Sequence, residues 1–406
     1  MRNRPAVYRR IPTAVTALLV SAALIAGCTS STGDAALPDE SQKITDSTPF
    51  FDLLRPQITS TARNGAVDVQ PGVPVKVTAS GGTLTKVVMT NADGKEVSGT
   101  LAEDGRSWSN SEPLGYNKTY KLRAEANGIG GVNVATETFS TQSPNNLTQA
   151  YFTTADNSTV GVGQTVGVKF DERIADRMAA QRAIKIVTDP PVEGAFYWIS
   201  PSEVRWRTEN YLKPGTKVSV DVKIYGVDLG GGTFGQKDAS TRFTVGDEVI
   251  TTVSDKDKIV RVTKNGKVVK TMPTSMGGPG NETPNGVYLI GDHRENMIMD
   301  SSTYGVPVNS PNGYRTLVDY AVQMSYSGIY LHSAPWSVNQ QGSTNVSHGC
   351  LNVSTENALW FMQNTKRGDI VKVTDTSGPV LEGTDGLGDW NLPWSVWRAG
   401  NAKAAG

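Results

Sequence analysis

Cysteine and histidine are scarce in this sequence. Its 406 residues include two cysteines, Cys28 and Cys350, and three histidines, His293, His332 and His348. Two cysteines exclude a disulfide-stapled scaffold and a four-cysteine zinc site. Neither sign of charge is in excess. The 39 basic and 39 acidic residues cancel, and no basic stripe follows the first ten residues. Nucleic-acid binding therefore has no electrostatic support. The apolar share of 37% against 19% charged suffices to build cores, so wholesale disorder is excluded. Glycine (42) and proline (21) are plentiful, which points to a turn-rich β chain. At roughly 100–200 residues per domain, the length allows two to four domains.

Residues 1–10 carry Arg2, Arg4, Arg9 and Arg10 and no acid, and residues 11–27 carry no charge. A basic stretch before an apolar run is the export-signal pattern. An uncleaved membrane anchor is the alternative, although about 17 apolar residues is short for a spanning helix. The residues that should follow Arg9-Arg10 in a twin-arginine signal are missing, which favours general secretion. The run ends in Leu24-Ile25-Ala26-Gly27-Cys28, which resembles the bacterial lipobox. The resemblance implies a signal peptide over 1–27, lipidation of Cys28, and anchoring to the outer face of the cytoplasmic membrane. Removing residues 1–27 takes four arginines and no acid, leaving 35 basic against 39 acidic residues, net −4. Residues 28–56, rich in Ser, Thr, Asp and Ala up to Thr48, read as a flexible tether.

Short alternating runs such as Val73–Val77 and Tyr120–Ala124 are separated by Asp93-Gly94 and Asp104-Gly105, the pattern of an antiparallel sandwich. The layout recurs about 100 residues later. Trp108 matches Trp206, Tyr120–Ala126 matches Val218–Ile224, and Glu137–Thr141 matches Thr241–Val245. Two tandem immunoglobulin-like sandwiches are expected, over 57–148 and 149–249. A helix over Glu172–Ile184 is predicted, with Ile174, Met178 and Gln181 spaced along it. Asp228 before Gly230-Gly231-Gly232 offers a Ca²⁺ site built from Asp228 with the carbonyls of Gly231 and Gly232. A plain glycine turn is the favoured alternative, since calcium takes about six or more ligands.

From Glu248 the repeat stops. Asn265-Gly266 between two alternating runs is a strong hairpin signal. Further strands are expected at Val287–Ile290, Ala321–Met324, Ile329–His332 and Ile370–Val373. A helix is expected near Thr355–Gln363, capped by Ser354 or Thr355, with Ala358, Leu359 and Met362 on one face. The fold class is thus mainly β, with the two sandwiches followed by a mainly-β catalytic domain over 250–378 holding one or two helices. The extension 379–406 carries Trp390, Trp394 and Trp397. It is expected to pack back on the chain; sugar stacking is the alternative.

With Cys28 lipidated, Cys350 is unpaired. A lone thiol in an exported chain is either buried and inert or reactive. It stands in Ser347-His348-Gly349-Cys350-Leu351-Asn352, where a glycine permits close backbone approach and an imidazole would lower the thiol pKa. In an extended segment His348 and Cys350 would share a face. His332, 18 residues upstream at the end of an apolar strand, is the other candidate, and spacing alone does not choose. His332, His348 and Cys350 as a three-ligand zinc site lacks an orienting carboxylate within the motif.

His332, a gap of 17 residues, and Ser-His-Gly-Cys-Leu-Asn ending at Asn352 resemble the signature of L,D-transpeptidases with a YkuD-type domain. Thr283-Pro284-Asn285-Gly286 resembles that family's Thr-Pro-x-Gly segment. Two immunoglobulin-like domains before and a Trp-rich tail after resemble the mycobacterial-type members. The resemblance implies Cys350 as nucleophile, His332 as general base held at Ser333, and His348 as loop support. It implies an oxyanion hole from the backbone N–H groups of Gly349 and Cys350 with the Tyr314 hydroxyl. Ser327, Gly328, Asn352, Ser333 and Ser347 would contact the donor, and Met299, Tyr304 and Trp336 would line a lid. The implied reaction is 3→3 cross-linking of peptidoglycan stem peptides with release of D-Ala. No cofactor is required, and carbapenems are expected inhibitors. The alternatives are a carboxypeptidase or thiol hydrolase on the same stems, and a non-catalytic wall-binding lipoprotein.

Overall fold

The computed structural model describes residues 51–404 apart from Asn312 and the side chains of Phe51, Asp52, Tyr304 and Ala404. The signal segment, Cys28 and all of the tether before residue 51 lie outside the described residues.

The first sandwich pairs a four-stranded sheet (57–60, 76–80, 107–110, 99–101) with a three-stranded one (82–91, 119–128, 131–140). Alternation dictates its core: along Thr119–Gly128 the even positions Tyr120, Leu122, Ala124 and Ala126 are buried. The second sandwich sets sheet 158–160, 239–245, 217–222, 184–189 against sheet 194–200, 203–208, 166–170, 150–152. The tryptophan repeat reappears as packing. Gly99 pairs with Asn110, two residues past Trp108, and Gly194 pairs with Thr208, two residues past Trp206. A Cβ at Gly99 would lie 2.0 Å from the Trp108 ring, and one at Gly194 would lie 2.2 Å from the Trp206 ring. Each domain therefore needs a bare glycine beneath the same indole. The two sandwiches are joined through Tyr116, whose hydroxyl donates to the Gly235 carbonyl (2.6 Å), and Tyr225, which donates to the Leu114 carbonyl (2.5 Å).

The predicted helix at 172–184 is shorter. Helix α1 spans Arg177–Arg182, capped by Asp176, which accepts from the Ala179 N–H at 2.8 Å. The residues before it give their N–H groups elsewhere: Ile174 to Pro201 and Asp176 to Leu229. Ile174, Ala179 and Ala180 are buried, whereas Met178 is exposed. At Asp228, Gly231 and Gly232 the structure has the glycine turn that the sequence favoured over a calcium site. The Asp228 carboxylate accepts the Gly230 N–H (2.8 Å), and Gly230, Gly231 and Gly232 all have positive φ, so this is a glycine turn closed by its own side chain.

The third domain has two sheets. Strands β1 (Val249–Ser254), β2 (Ile259–Lys264), β3 (Lys267–Pro273), β4 (Gly286–Leu289) and β9 (Ile370–Thr374) form one, in the order β3-β2-β1-β9-β4. Strands β5 (His293–Asp300), β6 (Arg315–Gln323), β7 (Tyr330–Ser333) and β8 (Leu351–Val353) form the other, in chain order. The β2–β3 turn has Asn265 at φ 49° and Gly266 at φ 76°, the left-handed pair a two-residue hairpin requires. Helix α2 (Thr355–Asn364) is capped by Ser354 and buries Ala358, Phe361 and Met362.

The extension folds back, ending in helix α3 (Trp394–Ala399). Trp390 Nε1 donates to the Gly163 carbonyl and Trp397 Nε1 to the Ala195 carbonyl, both at 2.8 Å. Trp397 is fully buried, and the Arg207 guanidinium lies over the rings of Trp390, Trp394 and Trp397. Trp390 and Trp397 are thereby anchored on the second sandwich, and Trp394 is half-buried beside them.

Candidate active site

Strand period places the site. Tyr330 and His332 share one face of β7, and Leu331 and Ser333 share the other. Leu331 enters the core under α2, and the Ser333 hydroxyl is hydrogen bonded to Thr355 at 2.7 Å. Strand β8 lies parallel to β7 with His332 opposite Asn352, so Cys350, one step before β8, falls beside Tyr330. Met299, Val318, Ala321 and Tyr330 pack around the thiol.

His332 is buried. Its Nδ1 is 2.9 Å from the Ser333 carbonyl, which can only accept, so the proton sits on Nδ1 and Nε2 carries the lone pair. Burial pushes its pKa below the usual imidazole value, against the effect of that hydrogen bond. Cys350 is 6% exposed, and its S–H points at the Gly328 carbonyl at 3.5 Å. Burial pushes the thiol up to about 11, partly offset by a hydrogen bond from the Tyr330 backbone. The expectation that an imidazole lowers this thiol's pKa is thus corrected. Removing both groups from water disfavours both charges, and the pair rests neutral.

The segment 347–350 is a turn, because Gly349 has φ 116°. His348 is consequently exposed while Cys350 is buried. The Ser347 hydroxyl donates to the Cys350 carbonyl (2.7 Å) and accepts the Gly349 N–H (3.1 Å). That bond takes the Gly349 N–H out of the expected oxyanion hole. Thr283 braces the turn from behind: its hydroxyl donates to the Gly349 carbonyl (2.8 Å) and accepts the Gly277 N–H (3.0 Å).

Two cavities meet at this turn. One of about 160 Å³ is lined by Met299, Tyr314, Thr316, Val318, His332, Trp336, Val346, Ser347, His348, Cys350 and Asn352. The other, of about 330 Å³, is lined by Tyr314, Ser327, Gly328, His348 and by Asn281, Ser301, Val306, Ser310, Pro311 and Ile329. Tyr314 and His348, with ring centroids 5.0 Å apart, border both. Asn352 donates to the Ser337 hydroxyl, and its Oδ1 is buried with no hydrogen-bond partner among the described residues. Ser333 lines neither cavity. The Tyr304 side chain lies outside the described residues. Among the described residues no three His, Cys, Asp or Glu side chains converge as a metal site, so the zinc triad has no geometry behind it.

Thr316, Val318 and Val346 in one cavity, and Ser301, Val306, Ser310 and Pro311 in the other, were not among the residues singled out in the sequence. Alternation along β6 marks Thr316 and Val318 as one face, but nothing local says that this face meets a thiol.

The sequence matches the bacterial Ig domain family over residues 66–228 and the L,D-transpeptidase catalytic domain family, YkuD, over residues 248–373. It is 56% identical over 392 residues to L,D-transpeptidase 2 of Mycobacterium tuberculosis (strain CDC 1551 / Oshkosh), covering 96% of this chain and 95% of that one. It is 34% identical to L,D-transpeptidase 5 of M. tuberculosis (strain ATCC 25618 / H37Rv), covering 84% and 76%. A solved structure of LD transpeptidase LdtMt1 in complex with imipenem is 39% identical, covers 55% of this chain and 98% of that one, and has a TM-score of 0.49. The fold and matches define an immunoglobulin-like chain carrying a YkuD catalytic domain. The chain belongs to the L,D-transpeptidase family and is an enzyme of that family.

Proposed function

We propose that this enzyme forms 3→3 peptidoglycan cross-links by cysteine acyl transfer. The observation that carries the reading is the pairing of a cavity-lining thiol with an imidazole whose Nδ1–H is committed to the Ser333 carbonyl. Nε2 is left as the only base the ring can offer.

The donor is a stem tetrapeptide. His332 Nε2 takes the Cys350 proton as Sγ bonds to the carbonyl carbon at the L-centre of stem residue three. Burial raises the thiol pKa and lowers that of the imidazole, so the transfer is uphill and accompanies attack rather than preceding it. The oxyanion is met by the Cys350 N–H and the Tyr314 hydroxyl. The C–N bond then breaks, the nitrogen of D-Ala takes the proton from His332, and a thioester remains. A side-chain amine of a second stem attacks the thioester carbon, gives its proton to His332, and Sγ leaves and is reprotonated. Covalent catalysis thereby splits one amide exchange into two easier steps. Ser327, Gly328, Asn352 and Ser347 border the space for the donor, and Met299 and Trp336 flank the thiol and imidazole. A strained β-lactam carbonyl, as in a carbapenem, offers Sγ the same electrophile. Cys28 is lipidated, holding the enzyme at the outer face of the cytoplasmic membrane.

The test incubates the full chain with a purified muropeptide tetrapeptide, alongside Cys350→Ala, and follows products by mass spectrometry. A cross-linked dimer and free D-Ala, both absent with Cys350→Ala, are expected. Free D-Ala without dimer would move the assignment to a carboxypeptidase. The absence of both products would overturn the reading.

A further inference from the structure

The loop between β6 and β7, Ser325–Ile329, holds the carbonyl that faces the thiol. It is set from inside by Ser325, whose hydroxyl oxygen accepts the Ile329 N–H at 2.8 Å and the Ser327 hydroxyl at 3.1 Å. Gly328 has φ 103°, so its carbonyl direction depends on how the preceding peptides are held. Those peptides are held from outside, by the C-terminal extension. Asp385 Oδ1 accepts the Tyr326 N–H at 2.8 Å, and Oδ2 accepts the Ser327 N–H at 2.9 Å. The next residue, Gly386, has φ 109°, and a Cβ there would lie 2.4 Å from the Tyr326 ring, so bare backbone lets the ring lie against the extension. One carboxylate thus fixes two successive amides. The residue after them accepts the Cys350 S–H, and Ser327 and Gly328 both line the larger cavity.

We propose that Asp385 is a positioning residue for the acylation step, acting through the Tyr326–Gly328 backbone. This rests on the cysteine-acylation reading above. The carboxylate is an acceptor for both N–H groups at once, and charge-assisted bonds of this kind are roughly twice as strong as neutral ones. With it gone, the 326–327 peptides rotate, the Gly328 carbonyl leaves the sulfur, and the wall against which the donor lies moves with it. A displacement of about 1 Å in such a wall costs on the order of 100-fold in rate. Asp385 touches no reacting atom.

The experiment uses the full chain and its Asp385→Asn, Asp385→Ala and Asp385→Glu variants. It reads hydrogen exchange at the Tyr326 and Ser327 amides, kcat and KM for D-Ala release from the tetrapeptide, tryptophan emission and Tm. Asp385→Asn keeps the volume but offers an N–H where an acceptor is needed. We expect exchange at both amides to quicken by about tenfold or more, and kcat to fall about ten- to a hundredfold. KM, emission and Tm should hold, and Asp385→Glu should recover part of kcat. Unchanged exchange overturns the proposal. So does fast exchange with unchanged kcat, or a loss of activity that tracks red-shifted emission and lowered Tm in every variant, which would make Asp385 only an anchor of the extension. A wild-type chain that forms no thioester overturns the acylation reading and any role in it. That failure is told apart because exchange would still respond to Asp385→Asn.

Discussion

At the scale of single residues, the site is governed by desolvation. The Cys350 thiol sits among Met299, Val318, Ala321 and Tyr330, and its pKa of about 11 follows from that burial. Alkylation by iodoacetamide should therefore keep climbing, by about tenfold per pH unit, from pH 8 to pH 10, because the thiolate is the nucleophile. A plateau near pH 9 would mean that the thiol titrates near the ordinary value in spite of its burial, and a rate already flat from neutral pH would mean that the imidazole and thiol share a charge-separated state. The turn that presents the thiol depends on a hydroxyl. Thr283→Val keeps the shape but strands the buried Gly277 N–H and Gly349 carbonyl, each worth about 1–3 kcal/mol. The expected result is a lowered Tm and about tenfold or more slower acyl-enzyme formation by mass spectrometry, with Thr283→Ser restoring both. Cys350 was legible because thiols are rare in this chain, whereas the choice of His332 over His348 and the Thr-Pro-Asn-Gly segment were reached only through the family resemblance. Asp385 was not legible. It is one acid in a glycine-rich stretch, and its partners are backbone N–H groups some 58 positions away, which leave no trace in side-chain identity.

At the scale of elements, the hairpin at Asn265-Gly266, the strands and α2 followed the sequence patterns because those signals are local. Helix α1 did not extend as the pattern suggested. Its first turn was displaced by tertiary hydrogen bonds from Ile174 and Asp176 to loops elsewhere, a competition that apolar spacing does not register. The tryptophan repeat was legible as a period, but the glycine opposite each indole was not, since cross-strand register is a property of pairing. That register makes a matched prediction. Gly99→Ala and Gly194→Ala each drive a methyl into a ring held on both sides, and each should cost about 1–3 kcal/mol by overpacking. Chemical denaturation followed by tryptophan fluorescence checks it. A large cost at one site and none at the other would show that the two sandwiches do not share the packing solution.

At the scale of the whole molecule, the extension joins the second sandwich to the catalytic domain. Three indoles in eight residues announced that the tail would fold back, but the receiving face is set by a single cation that the sequence places nearly two hundred residues earlier. The Arg207 guanidinium lies 4.6 Å from the Trp390 ring centroid and 4.5 Å from that of Trp397. Nη2 donates to the Leu392 carbonyl at 2.7 Å and Nη1 to the Thr208 carbonyl at 3.1 Å. Burial pulls its pKa down to about 10, which leaves it charged at neutral pH. Arg207→Met fills the space but gives up the cation–π contacts and leaves two carbonyls without donors. The expected loss is about 2–3 kcal/mol, with red-shifted tryptophan emission. Arg207→Lys keeps the charge but not the planar fork, and should fall between wild type and Arg207→Met. Because the same extension carries Asp385, acyl-enzyme formation should slow in step with the emission shift. If emission and Tm stay put in Arg207→Met, the indole N–H bonds to Gly163 and Ala195 hold the tail unaided, and Arg207 serves the second sandwich alone.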